Sequence, residues 1–357
     1  MQDPMSSGHS AKSSAYRRFI AAFAIAVVLL LVPAITASIY FGAPAYDLVR
    51  VGRLPARDFT PRIPQPVIQR VLPPAAGEPA QVLVLGDSFS RHNVWQSELT
   101  RLTGQRVVTW HYDTVRCTDD WLIQAVSGRL WPGARTIIVE TVEREFFSRF
   151  GEQHGCARSF YQPLHQEEGP IGQLPGLTDI FPLDATHLLK TMRNHLELPE
   201  MHGRRRLGGA VMVDLVRRDL FSTRYSDRLL FTAEDDRKLL SWSEEKAAST
   251  VAHLADLRRG AAAAGVNLVF LVIPDKSSVY WPYIHEKQRA PYPDQGERLF
   301  AMLGDQLGPG YDLLRYLREQ SLVVTDVYHP GDTHLGTTGY RLLAERVAEW
   351  LQPPQPR

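Results

Sequence analysis

Cysteine is scarce: the chain has two among 357 residues, Cys117 and Cys156, too few for a disulfide scaffold. In an oxidising compartment they can pair or stand as two free thiols, and sequence alone leaves both open, because geometry decides whether a bridge forms. Charge excess is absent too. Lys and Arg number 40 against 39 Asp and Glu, so no broad basic surface captures phosphates, and nucleic acid is excluded as a partner. There is no internal repeat and no glycine-rich phosphate loop, and the histidines scattered from His111 to His285 lack the spacing of a zinc site. Chemistry without metal or cofactor is therefore expected.

One long apolar run is present. Residues 19–41, FIAAFAIAVVLLLVPAITASIYF, carry no charge and match the ~20 residues that cross a hydrocarbon core as a helix. Lys12, Arg17 and Arg18 precede it, so the positive-inside bias leaves residues 1–18 in the cytoplasm and the rest of the chain outside. A cleaved signal peptide is the rival reading. The apolar stretch exceeds the ~7–15 residues usual for such a segment, which favours an uncleaved single-pass anchor. Residues 42–80 are dense in proline and read as a linker lifting the domain off the membrane.

Beyond the linker, four short β-branched runs, Val82–Leu85, Val107–Tyr112, Thr136–Val142 and Asn267–Ile273, read as strands. Helical apolar spacing marks Trp95–Leu102, Thr118–Leu130, Glu244–Ala264, Gln295–Leu307 and Thr338–Leu351. Strands alternating with helices predict a mostly parallel sheet covered on both faces across residues 81–351, followed by a short tail at 352–357. Residues 150–243 interrupt the alternation and read as an insertion or lid, with helix-like pieces at His187–Leu198 and Val211–Leu220 and a basic triplet, Arg204 to Arg206.

In such a sheet, sites form at the carboxyl ends of strands. Val82–Leu85 runs into Gly86-Asp87-Ser88, placing Ser88 either as a nucleophile or as a helix N-cap. A serine needs a base and a group that orients the base. HPGDTHLGTTGY at 329–340 supplies both, with Asp332 two residues from His334. Lys276 and Trp281, just past the Asn267–Ile273 strand, are candidates to bind substrate, and Tyr112 and Arg116 are candidates to assist backbone N–H groups in an oxyanion hole. Glu140, Glu143 and Arg144 read as an internal ion-pair brace.

GDSFSRH at 86–92, IIVETVER at 137–144, IPDKSSVYWPY at 273–283 and VYHPGDTHLGTTGY at 327–340 resemble the blocks of the SGNH (GDSL-type) hydrolase superfamily, in its alginate O-acetyltransferase-like branch. The Asp-x-His spacing is that of the acetyltransferase branch. In the alginate enzymes, however, this pair precedes the Gly-Asp-Ser, whereas here it follows it. The resemblance implies a three-layer α/β/α fold and a periplasmic, inner-membrane-anchored O-acetyltransferase acting on an exopolysaccharide. It further implies Ser88 as acetyl carrier, His334 as base, Asp332 as its orienting group, and an acetyl donor delivered by a multispanning membrane acyltransferase. An esterase or deacetylase with the same residues, and a non-catalytic polysaccharide-binding subunit, are the competing readings.

Overall fold

The four apolar runs become the strands of one parallel sheet. A computed structural model describes residues 8–41, 46–75, 77–115, 117–151, 170–171, 185–237, 242–289, 294–308 and 311–351. The strands of its two larger sheets are β1 (Val82–Gly86), β2 (Val107–His111), β3 (Thr136–Val142), then β4 (Arg205–Leu207), β5 (Ala210–Asp214) and β6 (Arg228–Thr232), and last β7 (Asn267–Ile273), while Ile68–Gln69 and Pro170–Ile171 pair as a short antiparallel ribbon. The parallel sheet has the order β2-β1-β3-β7, with Val82 beside both Val107 and Thr136. Every residue of β1 and β2 is buried. Because successive side chains point to opposite faces, both faces of the sheet are covered. Helix Val94–Thr103 packs against Thr337–Leu351, while Glu244–Ala263 lies along β7 with Asp294–Leu307 beside it. The result is an α/β fold with its loops converging at the carboxyl ends of the strands.

The insertion departs from expectation. Val211–Leu220 is not helical: β5 pairs with β4 and β6 in a three-stranded antiparallel sheet. A short apolar run buried on both sides cannot be told from a helix by periodicity, and here the β-branched Val211 and Val213 decide. Val211, Val213, Leu229 and Phe231 enter the main core, while Ala210, Met212 and Leu230 face a second cluster. Ala185–Glu197 is a helix, close to the one expected. Arg204 is held by both carboxylate oxygens of Asp236 at 2.6 Å, and Arg205 and Arg206 lie exposed on β4.

The second cluster overturns the reading of residues 42–80 as a spacer. Leu48, Val49, Leu54 and Phe59 pack there against Leu198, Ala210, Met212 and Leu230, each at most 1 % exposed. Asp47–Gly52 is a short helix closed by Arg53 at φ 52°. The proline-rich chain that follows finds its hydrogen bonds in side chains: Arg62 and Ile63 N–H donate to Ser222 Oγ, and Gln65 Oε1 accepts from Thr338 N and Oγ1. Proline removed donors from this segment without keeping it off the domain.

Gly8–Phe41 is one helix, with exposed side chains through most of 16–32. Among the described residues, no helix is long and apolar enough to cross a membrane. Most side chains of the expected anchor's second half lie outside the described residues. Cys117 is disulfide-bonded. Cys156, the chain's other cysteine, lies outside the described residues.

Candidate active site

Gly86 ends β1 where no side chain fits. A Cβ there would come within 2.3 Å of Ser90 Oγ and 2.6 Å of Glu140 Oε2, so the glycine lets the turn fold back over β3. Asp87 staples that turn, accepting from Phe89 N at 2.9 Å through one oxygen and from Val142 N at 2.8 Å through the other. Beneath it, Glu140 Oε2 accepts from Asp87 N at 3.0 Å and Ser90 Oγ at 2.7 Å. Burial, then the charge of Asp87, pushes the Glu140 pKa well above the usual carboxylate range.

Ser88 is not an N-cap. The following helix begins at Val94, capped by Asn93 at φ 53°, leaving the Ser88 side chain free to meet the C-terminal loop. Its Oγ lies 2.9 Å from His334 Nε2, and His334 Nδ1 lies 2.5 Å from Asp332 Oδ1. Asp332 Oδ1 also accepts from the His334 backbone N–H at 3.0 Å. Burial lowers the His334 pKa, but its bond to Asp332 and the carboxylate charges outweigh this and leave it raised. Burial conversely raises the Asp332 pKa, yet the bonds from His334 and from the Asp47 N–H hold it well below the ordinary range. The two directions agree: the pair favours a proton on imidazole and a charge on Asp332. An imidazole so oriented can take the hydroxyl proton of Ser88.

Around Ser88, the N–H groups of Asp87, Phe89 and Ser90 are already donated within the turn. Among the described residues the Ser88 N–H meets no acceptor, which leaves it available to a developing oxyanion. Tyr112 is not positioned for that task. It is buried under the Arg149 guanidinium at 4.2 Å, and burial followed by the charges of Glu140 and Asp87 raises its pKa well above the ordinary phenol value. Arg116 lies outside the described residues.

Ser88, Asp332 and His334 open into a cavity of about 790 Å³, large enough for a sugar-sized ligand. One wall, Thr60, Pro61, Ile63, Pro64 and Gln65, comes from the proline-rich segment, and Arg70, Arg91 and His92 also face the cavity. No described residue of 150–243 lines it, so the described part of the insertion is not a lid. Asp47, Tyr46 and His92 went unrecognised in the sequence. The interleaving of Leu48, Val49, Leu54 and Phe59 among the prolines was the signal for the first two.

Lys276 and Trp281 do not line the cavity either. Trp281 is half-buried against the core. Lys276 is 2 % exposed, and its Nζ donates to the carbonyls of His329, Pro330 and Asp332 at 2.7, 2.8 and 3.1 Å, so it anchors the loop rather than meeting a sugar. Burial brings its pKa down to about 7 against the pull of Asp332, Asp47 and other carboxylates. Lys276→Met strands three carbonyls and is expected to cost about 2–4 kcal/mol, read as a lower urea midpoint at unchanged slope. Beside it, the ion pair of Arg144 runs out of the IIVETVER block to Asp275 at 2.7 Å, Glu143 accepts from Asp275 N at 2.9 Å, and Glu140 sits under the Ser88 turn.

A model of the family described as the SGNH hydrolase-like domain of acetyltransferase AlgX matches residues 226–356. The match contains Lys276, Asp332 and His334 and begins after Ser88 and Asp47. No curated protein and no solved structure matches the chain at a significant level. With an α/β parallel sheet carrying Ser88 to His334, residues 226–356 thus match the SGNH acetyltransferase branch that the chain's own motifs resemble.

Proposed function

We propose that this protein is an O-acetyltransferase that carries an acetyl group on Ser88 and passes it to a hydroxyl of an exopolysaccharide. The observation that carries the reading is the line from Ser88 Oγ through His334 to Asp332, at 2.9 and 2.5 Å. His334 Nε2 takes the Ser88 proton as Oγ attacks the acetyl carbonyl, and the oxyanion forms against the Ser88 N–H. Collapse expels the donor's leaving group, which takes that proton from His334, and leaves an acetyl ester on Ser88. A sugar hydroxyl then gives its proton to His334 and attacks the ester. The product is an acetylated sugar, and Ser88 regains its proton.

The family match supports acetyl transfer, and the size of the cavity supports a carbohydrate acceptor. Arg17 and Arg18 before the uncharged residues 19–41 support an inner-membrane, periplasm-facing location, with acetyl groups supplied by a multispanning acyltransferase. The deciding experiment incubates the protein with a chromogenic acetyl ester, with and without exopolysaccharide oligomers. Acetylated oligomer is the expected product. Acetate alone would make the protein an esterase, and no turnover with an unreactive Ser88 would make it a binding subunit.

The rate should also depend on pH with a definite sign. His334 accepts a proton only when neutral, and its pKa is raised. Activity is therefore absent at low pH and rises through a midpoint above the ~6.5 of an ordinary imidazole. A midpoint at or below that value would contradict the Asp332–His334 coupling.

A further inference from the structure

We propose that Asp47 is a positioning residue for the Asp332–His334 pair, its peptide N–H and its carboxylate together aiming the imidazole at Ser88; this rests on the acyl-transfer reading above. The loop that carries the pair contains Pro330 and Gly331 and is tied within itself by His329 N to His334 O at 3.0 Å, Asp332 N to His329 O at 3.2 Å and Gly331 N to His329 Nδ1 at 3.2 Å, beside the bridge between Tyr328 and Leu335. These turns shape the loop, and what grips it from outside fixes where the pair points. Lys276 grips the carbonyls of one side, and the segment from Tyr46 to Val49 grips the other.

Each contact of that segment falls on or beside the pair. Asp332 Oδ1 is occupied by His334, and Asp332 Oδ2 accepts the Asp47 N–H at 3.0 Å. Thr333, the residue between the two, donates its N–H to Asp47 Oδ1 at 2.8 Å and its hydroxyl to Asp47 Oδ2. Val49 N donates to Gly331 O at 3.1 Å, and the Tyr46 ring lies 4.0 Å from the His329 ring. A Cβ on residue 331 would sit 2.7 Å from Val49 Cγ2, so only glycine admits this approach. Leu48 and Val49 are fixed in turn by the second hydrophobic cluster, which gives the grip a rigid base.

The Asp47 carboxylate also faces His334 and raises its pKa, while burial and then the charge of Asp332 raise that of Asp47 itself. The other charged or titratable groups around the imidazole are Asp332, Arg144, His92 and His329. Burial lowers the pKa of both histidines, His329 to about 4, so they are neutral near pH 7. Removing the Asp47 charge should therefore lower the pH midpoint of His334 as well as loosen its aim.

The test uses the full chain and a serine-directed fluorophosphonate, which reports Ser88 reactivity without needing the sugar or the acetyl donor. The second-order labelling rate is followed against pH for the unaltered protein and for Asp47→Ala, Asp47→Asn and Asp47→Glu. Asp47→Ala is expected to lower the plateau rate by roughly 10–100-fold, the scale of a misaimed reacting group, and to shift the midpoint downward. All three variants keep the peptide N–H; Asp47→Asn also keeps the side-chain shape, so it should shift the midpoint with a smaller plateau loss, and Asp47→Glu should restore the midpoint. Should Asp47→Ala fail to fold by circular dichroism, the isosteric Asp47→Asn carries the test. Labelling of all variants at the unaltered rate and midpoint overturns the role of Asp47 while sparing that of Ser88. A chain whose Ser88 never labels overturns both.

Discussion

Ser88→Ala will retain the fold and lose acetyl transfer by roughly 10⁴–10⁶-fold, the range seen when a serine nucleophile is removed from such an arrangement. The fold should survive because the Ser88 hydroxyl supports nothing structural. Its side-chain partner is His334 Nε2, whereas the turn around it is held by Asp87, Glu140 and Gly86. Stability should therefore stay within about 0.5 kcal/mol of the parent. The check is mass spectrometry of the peptide bearing residue 88 after incubation with an activated acetyl ester, alongside a thermal melt. An acetylated peptide from the parent and none from the variant is the expected pair of results. Undiminished transfer by the variant would remove Ser88 from the mechanism.

Asp332→Asn should cost about 10⁴-fold in the same assay, although it changes few atoms. Asp332 now accepts three hydrogen bonds, from His334 Nδ1, His334 N and Asp47 N. An amide has one accepting oxygen. With that oxygen toward His334, its NH₂ group confronts the Asp47 N–H. With the group turned over, the NH₂ faces Nδ1 and favours the tautomer whose proton lies on Nε2, opposite Ser88, where it cannot serve as base. Loss of the negative charge also lowers the His334 pKa, so the surviving activity should show a lower pH midpoint. Retention of a tenth or more of the parent rate would mean that Asp332 does not orient the base.

The sheet was readable because parallel strands covered on both faces are continuous apolar runs. VLVLG and NLVFLVI have no competing period, and the strands span the expected residues to within one or two positions. Ser88, Asp332 and His334 were readable together because two strand-end or pre-helix loops, far apart in sequence, carried complementary chemistry. What escaped had its meaning set by tertiary contacts. Asp47 looks like any helix-opening acid, and only its bonds to Thr333 and Asp332 distinguish it. The exposed-looking proline segment became a cavity wall because Ser222 and Thr338, remote in sequence, meet its hydrogen-bonding groups. Lys276 and Tyr112 were correctly placed at strand ends but face inward, a distinction that one or two residues of strand register decide and composition does not.

The docking of Asp47 puts a length limit on the whole chain. Asp47 follows Phe41, the last residue of the long N-terminal helix, by six residues, which stretch to at most about 20 Å. With Asp47 pinned beside Asp332, that helix end is on a short leash to the reacting serine and cannot swing away on a long flexible arm. Whatever holds the helix therefore also sets where Ser88 can work.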